Sequence, residues 1–314
     1  MKAITLTALR ARWNRYWFEP EGPSNLGLCR ALFYGLLLLL YLFDDVSPWG
    51  GVSNAFWFPI TLFKFGRIPV LGEGPLFALD AVWKLSLLAC AFGFATRPAS
   101  VLAFVFGLYR LGLPHNFGKV HHFDAMIVLV LGVMMFARLG DAWSLDRLIA
   151  RRRGREPKPV AASGEYRWPV RAVWVIMALT FFAAGFSKLR HGGIDWVTSE
   201  NMSVVLNQHA YLGSSHDPLL VDLSLFLSRH PLVCSLIALG TVVIEAGYPL
   251  ALFSRRARWF FAPAMCGALI GIRVLMGPSF PQFILCHLFW IPWDRVLAKV
   301  LRAPAPTSPA VSPA

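Results

Sequence analysis

The chain has 314 residues, of which 56% are hydrophobic and 15% charged, and its mean hydropathy is +0.55. A soluble domain of this length does not carry so much apolar sequence, whereas a bundle of membrane-spanning helices requires it. A formal net charge of +13 would suit nucleic acid if the basic residues formed one patch. The basic residues are instead distributed according to membrane topology. We therefore expect the protein to contact the lipid bilayer and not to bind nucleic acid. The sequence indicates no protein partner.

Eight apolar runs predict an all-α fold, a polytopic transmembrane helix bundle of about eight spans. The runs cover residues 26–43, 76–94, 99–113, 122–137, 170–186, 231–253, 260–276 and 279–293. The third, fourth and eighth are short for a hydrocarbon core about 30 Å thick. We expect residues 1–302 to form a single transmembrane domain.

The segments between the runs predict amphipathic helices at the membrane interface. Residues 45–75 are rich in proline, glycine and aromatic side chains, and residues 196–230 include the amphipathic stretch VDLSLFL. The tail, residues 303–314, consists mainly of proline, alanine and serine, which predicts disorder.

The basic residues predict the topology. With the N-terminus inside, twenty lysines and arginines fall on the cytoplasmic side and six on the other side. This bias obeys the positive-inside rule and makes the Arg138–Arg171 loop cytoplasmic. No small-x-small cleavage site follows the first run before Asp44, so we interpret that run as a retained span. The expected location is a bacterial inner membrane.

No metal site is expected. The five cysteines all fall in apolar runs without CxxC spacing, which is typical of small buried side chains. His209, His216 and His230 lie in one loop, but their spacing matches no compact ligand motif.

Several ionisable residues fall inside apolar runs, where charge is costly. Asp80 and Lys84 are four residues apart, which predicts a structural pair on one helix face. For Arg110 and Arg273 we expect side chains that extend to the membrane surface, although Arg273 is also a candidate to hold an anion. Most of these groups fall in the outer halves of the spans, which indicates a polar cavity open to the outside.

Glu245 requires a partner because it lies in the middle of the sixth run. Either it is protonated and hydrogen-bonded, or it meets His287 or another helix. A direct pair with Arg273 is disfavoured, since the two residues differ in height by roughly 10 Å. A structural role is favoured over a catalytic one.

Several segments resemble a known family of membrane proteins. His121 and His122 open the fourth run where that family has Asn-His, and WSLD at 143–146 resembles its W-S-V-D. The stretch FAAGFSKL at 182–189, followed by DWV at 195–197, resembles its I-A-G-V-K-K-L and D-W-V. Over about residues 26–293 the chain resembles the membrane domain of vitamin K-dependent gamma-carboxylase and its bacterial relatives, the HTTM (horizontally transferred transmembrane) family.

The resemblance implies an enzyme in which a lysine takes a proton from a reduced naphthoquinone of the vitamin K type, with a histidine assisting. Lys188 would be the base, its neutral form favoured by desolvation and by Arg190, and His122, with His121 beside it, would orient it or accept its proton. His122 begins the fourth run and Lys188 follows the fifth, so we predict that they share one outward-opening pocket.

Departures from the family pattern limit the function that the resemblance implies for this chain. Ser187 replaces the first of the paired lysines, and residues 262–273 contain no histidine. The large lumenal region of the animal enzyme has no counterpart, so carboxylation of protein glutamate is not implied. The most that the resemblance implies for this chain is a quinone-linked or other activity that removes a proton from a smaller substrate.

The alternative is a non-enzymatic membrane scaffold or a proton-coupled small-solute carrier. Glu245 and the outer histidines would then form a proton relay or structural contacts. The absence of visible inverted repeats counts against a carrier. For Lys188, a side chain that extends from a helix end to water is the simplest alternative to a catalytic role.

Overall fold

The computed structural model describes residues 6–118, 122–154, 160–198, 200–212 and 217–301, which form α-helices, short 3-10 helices and one isolated β-bridge. The helices are Leu6–Phe18 (α1), Pro23–Tyr41 (α2), Thr61–Gly66 (α3), Glu73–Phe92 (α4), Thr96–Gly112 (α5), His122–Phe136 (α6), Leu145–Arg152 (α7), Trp168–Gly192 (α8), Asp195–Thr198 (α9), Asn201–Leu212 (α10), Val221–Ser228 (α11), Pro231–Gly247 (α12), Leu250–Phe253 (α13), Arg255–Leu275 (α14), Pro281–Cys286 (α15) and Trp293–Val300 (α16). The predicted all-α class is confirmed. The predicted disordered tail, 303–314, lies outside the described residues.

Four helices of the described chain are long and apolar enough to cross a membrane. They are α2, α4, α8 together with the turn before it, and α14. A fifth span results if α11 and α12, which meet at an angle of 105°, are counted as one. The apolar part of α6, Phe123–Phe136, is shorter than these. The predicted count of about eight is therefore not confirmed.

Two predicted spans are not continuous helices. The run 231–253 divides into α12 and α13 because Pro249 has no amide hydrogen to offer the carbonyl of Glu245, which instead accepts from Tyr248 at 3.3 Å. The run 279–293 divides into α15, a 3-10 turn at His287–Trp290, and the start of α16.

Helices α2, α4, α5 and α6 pack against one another in chain order. Helix α4 contacts α2 and α5, α5 contacts α6, and α6 contacts α8, which in turn packs against α12. The core between them contains large side chains that are fully buried, including Trp83, Tyr34, Phe33 and Phe289. Gly107 of α5 allows this close packing, because a Cβ there would lie 2.7 Å from Nε1 of Trp83.

The hydrogen bonds show which helix ends lie together. Arg30, near the start of α2, is buried and donates to the carbonyl oxygens of Leu139 and Trp143, which follow α6. Tyr41, at the end of α2, bonds Asp124 in the first turn of α6. The ends of α4 and α6 therefore lie beside the starts of α2, α8 and α14, which we call the basic end. The ends of α2, α5 and α8 lie at the opposite end.

A layer of short helices follows the end of α8. Helices α9, α10 and α11 pack against α12, and they do so mainly through apolar side chains. Met202 and Leu206 of α10 are buried against Cys234 and Ala238 of α12. Leu219, which lies just before α11, and apolar side chains of α11 are exposed, as expected of helices at a membrane interface.

Candidate active site

The candidate site centres on an ion pair between α8 and α12. The Lys188 ammonium donates to both carboxylate oxygens of Glu245, with 2.6 Å from Nζ to Oε1. The Lys188 side chain is 22% exposed and that of Glu245 is 12% exposed. This partly buried charge pair is held by its own attraction and by the packing of the two helices.

Small residues bring the two helices together at this point. A Cβ on Gly185 would lie 2.6 Å from the backbone nitrogen of Ala246, so only glycine permits this approach. Because Gly185 precedes Lys188 by one helical turn, the contact places the lysine beside the last turn of α12. Glu245 lies in that last turn, because α12 ends at Gly247.

Trp196 completes the surroundings of the pair. Nζ of Lys188 lies 5.7 Å from the centre of the Trp196 ring, within the range of a cation–π contact. The indole nitrogen of Trp196 is buried and has no hydrogen-bond partner among the described residues. The pair is thus bordered by an aromatic face and by a hydrogen-bond donor available to a ligand.

A second charge network lies at the same end of the bundle as the pair, away from the basic end, where α2 and α5 end and α4 and α6 begin. Oδ2 of Asp80 is 2.6 Å from Nζ of Lys84, the contact expected from their spacing, and Oδ1 of Asp80 accepts from Nε of Arg110 at 2.7 Å. Arg110 Nη2 also reaches Asp44 at 2.7 Å. The prediction that Arg110 extends to the membrane surface is wrong, since it is 3% exposed and its guanidinium stacks on Trp83.

This network continues through Tyr41 to the start of α6. The Tyr41 hydroxyl donates to Oδ1 of Asp124 at 3.0 Å and accepts from Nε2 of Gln282 at 2.9 Å. Oδ2 of Asp124 is 3.2 Å from Nε2 of His115. Arg110 lies over the Tyr41 ring, so polar side chains join six elements two residues away from His122: α2, α4, α5, the 3-10 turn after α5, α6 and α15.

The remaining predicted residues make other contacts. Nη1 of Arg273 donates to the carbonyl oxygens of Asp217 and Gly277, at 2.7 and 2.9 Å. These bonds do not test whether its side chain extends to the membrane surface, so that expectation stays a prediction. His287 bonds the Tyr248 hydroxyl at 3.0 Å, so the suggested pairing of His287 with Glu245 is wrong. Within the described ranges, no group of three or more His, Cys, Asp or Glu side chains is arranged to hold a metal ion.

The histidines of the expected site lie outside what the structure describes. His121 is not among the described residues, and for His122 only the helical backbone is described. The predicted pocket shared by Lys188 and His122 therefore stays a prediction. The packing of α6 against α8 is consistent with it.

Sequence reasoning missed the partner of Lys188 and the role of the WSLD segment. The signal for the first was the glycine in FAAGFSKL together with Pro249, which ends α12 beside it. In the WSLD segment, Asp146 accepts hydrogen bonds from the amide nitrogens of Ala95 and Thr96 at 2.7 and 2.9 Å. It therefore fixes the start of α5, which is a structural role.

Four apolar helices of membrane-spanning length, packed with shorter apolar helices to which ion pairs join them, define this chain as an integral membrane protein. The chain belongs to the HTTM domain family, whose model matches residues 18–286. The match includes the Lys188–Glu245 pair and the Asp80 network. No curated protein and no solved structure gives a significant match to the chain.

Proposed function

We propose that this protein is a membrane enzyme related to the core of vitamin K-dependent gamma-carboxylase, in which Lys188 removes a proton from a reduced naphthoquinone or a substrate of similar chemistry. The observation that carries the proposal is the Lys188–Glu245 pair, which lies between two helices beside Trp196. Ionisable pairs between apolar helices are costly and mark functional sites in membrane proteins.

A lysine must be neutral to act as a base, and Glu245 offers a route to that state. A proton that moves from Nζ to the carboxylate along their hydrogen bond gives a neutral amine and a neutral carboxyl group. The net charge of the pair does not change in this step. Lys188 then takes a hydroxyl proton from the substrate and, as an ammonium, stabilises the negative charge left behind.

The residues around the pair fit a naphthoquinone. The Trp196 ring offers a face for stacking, and its buried indole N–H, which has no partner in the described chain, would donate to a ring oxygen. A reduced naphthoquinone would supply the acidic hydroxyl and the reducing equivalents of the reaction. His122, with His121, would assist Lys188 from the start of α6, and the Asp80 network would hold that end of the bundle in place.

The proposal includes a topology. About eight crossings are reached when α5, α6 and the pieces α12–α13 and α15 are counted with the long helices. The N-terminus and the Arg138–Arg171 loop then face the cytoplasm of a bacterium, and the pair lies toward the other side of the inner membrane. Single cysteines at the exposed positions Ala161 and Leu219 test this in whole cells. Labelling from outside should reach Leu219→Cys and not Ala161→Cys, and the reverse would refute the orientation.

The activity is tested with the full-length protein purified from membranes. Naphthoquinone is extracted from the wild type, from Lys188→Met combined with Glu245→Gln, and from Lys64→Gln, a control at an exposed lysine of α3. The double variant leaves no unpaired charge, so we expect it to retain the fold. We expect bound quinone and quinol-dependent oxygen uptake in the wild type and in Lys64→Gln, and loss of both in the double variant. A wild type without quinone or uptake would contradict the proposal.

A non-enzymatic scaffold is the second candidate, and one observation favours it. Nζ of Lys188 already bonds both oxygens of Glu245, which is how a purely structural pair would look. In that case the double variant would change stability or partner binding, and the wild type would neither hold quinone nor consume oxygen with quinol. A proton-coupled carrier has no such observation in its favour.

A further inference from the structure

A cavity of about 640 Å³ lies at the basic end, far from the Lys188–Glu245 pair along α8. Its walls are the starts of α2, α8, α14 and α16. Five arginines and two carboxylates line it, which leaves a formal excess of three positive charges. Four helix N-termini add partial positive charge to the same space.

Two of these arginines are held in place without a carboxylate partner. Arg171 lies 4.2 Å and Arg258 4.0 Å from the centre of the Trp174 ring, and Arg258 also lies over Trp290. Among the described residues neither forms an ion pair, whereas Arg167 beside them is paired with Glu19 and Glu21. Nε of Arg258 donates to the carbonyl oxygen of Ala251 at 3.3 Å, and Arg171 also lies over the Tyr16 ring. These contacts orient both guanidinium groups, and their terminal N–H groups are the ones that an anion would bind.

The cavity continues as an apolar strip along α14. Trp259, Ala262, Pro263 and Cys266 all line it, at the spacing of one helix face. Pro263 has no amide hydrogen, so the carbonyl of Trp259 lacks its usual helical donor. The part of the cavity lined by arginines is thus continuous with an apolar strip that runs about 10 Å along α14 into the bundle.

We propose that this cavity binds a phosphate ester carried by a membrane amphipath, such as an anionic phospholipid of the leaflet at the basic end. Arg171 and Arg258 bind the phosphate oxygens, and the chain lies along the α14 strip. Arginine suits this role because its planar fork pairs with two phosphate oxygens at once. The inference is independent of the proposed activity, since the cavity shares no residue with the Lys188 pair.

Native mass spectrometry of the purified, delipidated protein tests the proposal, with phosphatidic acid, phosphatidylcholine and glycerol 3-phosphate as separate probes. We expect saturable binding of phosphatidic acid in preference to phosphatidylcholine. Arg171→Gln combined with Arg258→Gln should weaken it about tenfold or more, the loss expected from two charge-assisted hydrogen bonds. Arg151→Gln combined with Arg152→Gln, exposed on α7, is the matched control and should bind as the wild type does.

A second variant tests the apolar half without touching the arginines. Cys266→Phe fills the strip on α14, so it should weaken phosphatidic acid binding while the fold is retained. Equal affinity for phosphatidylcholine, or unchanged binding in both the arginine and the Cys266 variants, would overturn the proposal. Displacement of the lipid by glycerol 3-phosphate alone at similar concentration would overturn its assignment to a lipid and indicate a soluble phosphate ester.

Discussion

Reversing the charge of Glu245 tests the pair on which the candidate site depends. In Glu245→Lys, two ammonium groups would replace an ion pair whose N–O distance is 2.6 Å. At about 4 Å and an effective dielectric constant of about 20, the interaction of two unit charges is about 4 kcal/mol. The attraction is lost, and the two flexible ammonium side chains relieve most of their repulsion by moving apart, so we expect a loss of about 4 kcal/mol or more. In Glu245→Gln the amide oxygen still accepts from Lys188, and we expect a loss of about 1–2 kcal/mol.

The assay is the free energy of unfolding of the purified protein in mixed detergent micelles, with size-exclusion profiles as a check on folding. Lys188→Glu combined with Glu245→Lys restores opposite charges and should recover most of the loss. Glu200→Lys, a charge reversal at an exposed position, is the matched control and should stay within about 0.5 kcal/mol of the wild type. If Glu245→Lys is as stable as this control, the pair is hydrated and the reasoning about its burial is wrong.

Three further substitutions test the packing around the two networks. Gly185→Leu should separate α8 from α12 and cost about 1–3 kcal/mol or more in thermal-unfolding assays, whereas Gly240→Ala on α12, where a Cβ meets nothing within 4 Å, should be neutral or slightly stabilising. Arg110→Met leaves two carboxylates without their shared cation and should cost about 3–5 kcal/mol, with Lys84→Met costing less because it is more exposed; equal costs would contradict the network. Asp146→Ala removes the cap of α5 and should cost about 1–2 kcal/mol by the same measurement, and no change would refute the capping role.

The sequence predicted the fold class because hydropathy records burial in lipid directly. It also predicted the Asp80–Lys84 contact, since residues four apart on a helix are neighbours whatever the tertiary structure. The resemblance to the HTTM family is confirmed by the family match over residues 18–286. These predictions depend on local periodicity or on motifs, which a single sequence contains.

The predictions that were wrong depend on contacts between helices. Arg110 was expected at the membrane surface because nothing local shows that α2 places Asp44 beside it. His287 was a candidate partner of Glu245, but the break at Pro249 turns the chain so that Tyr248 meets His287 instead. Hydropathy cannot show such a break, because an apolar run looks the same whether it is one helix or two.

Under the proposed function, the helices that follow α8 have a consequence for how a substrate reaches Lys188. Met202 and Leu206 pack this layer onto α12, and the layer also exposes apolar side chains such as Leu219. A reactant that arrives from the bilayer is concentrated there by its solubility in lipid before it meets the protein. We therefore expect saturation to follow the mole fraction of reactant in the membrane, and a water-soluble analogue with the same reactive group to compete poorly because it never partitions.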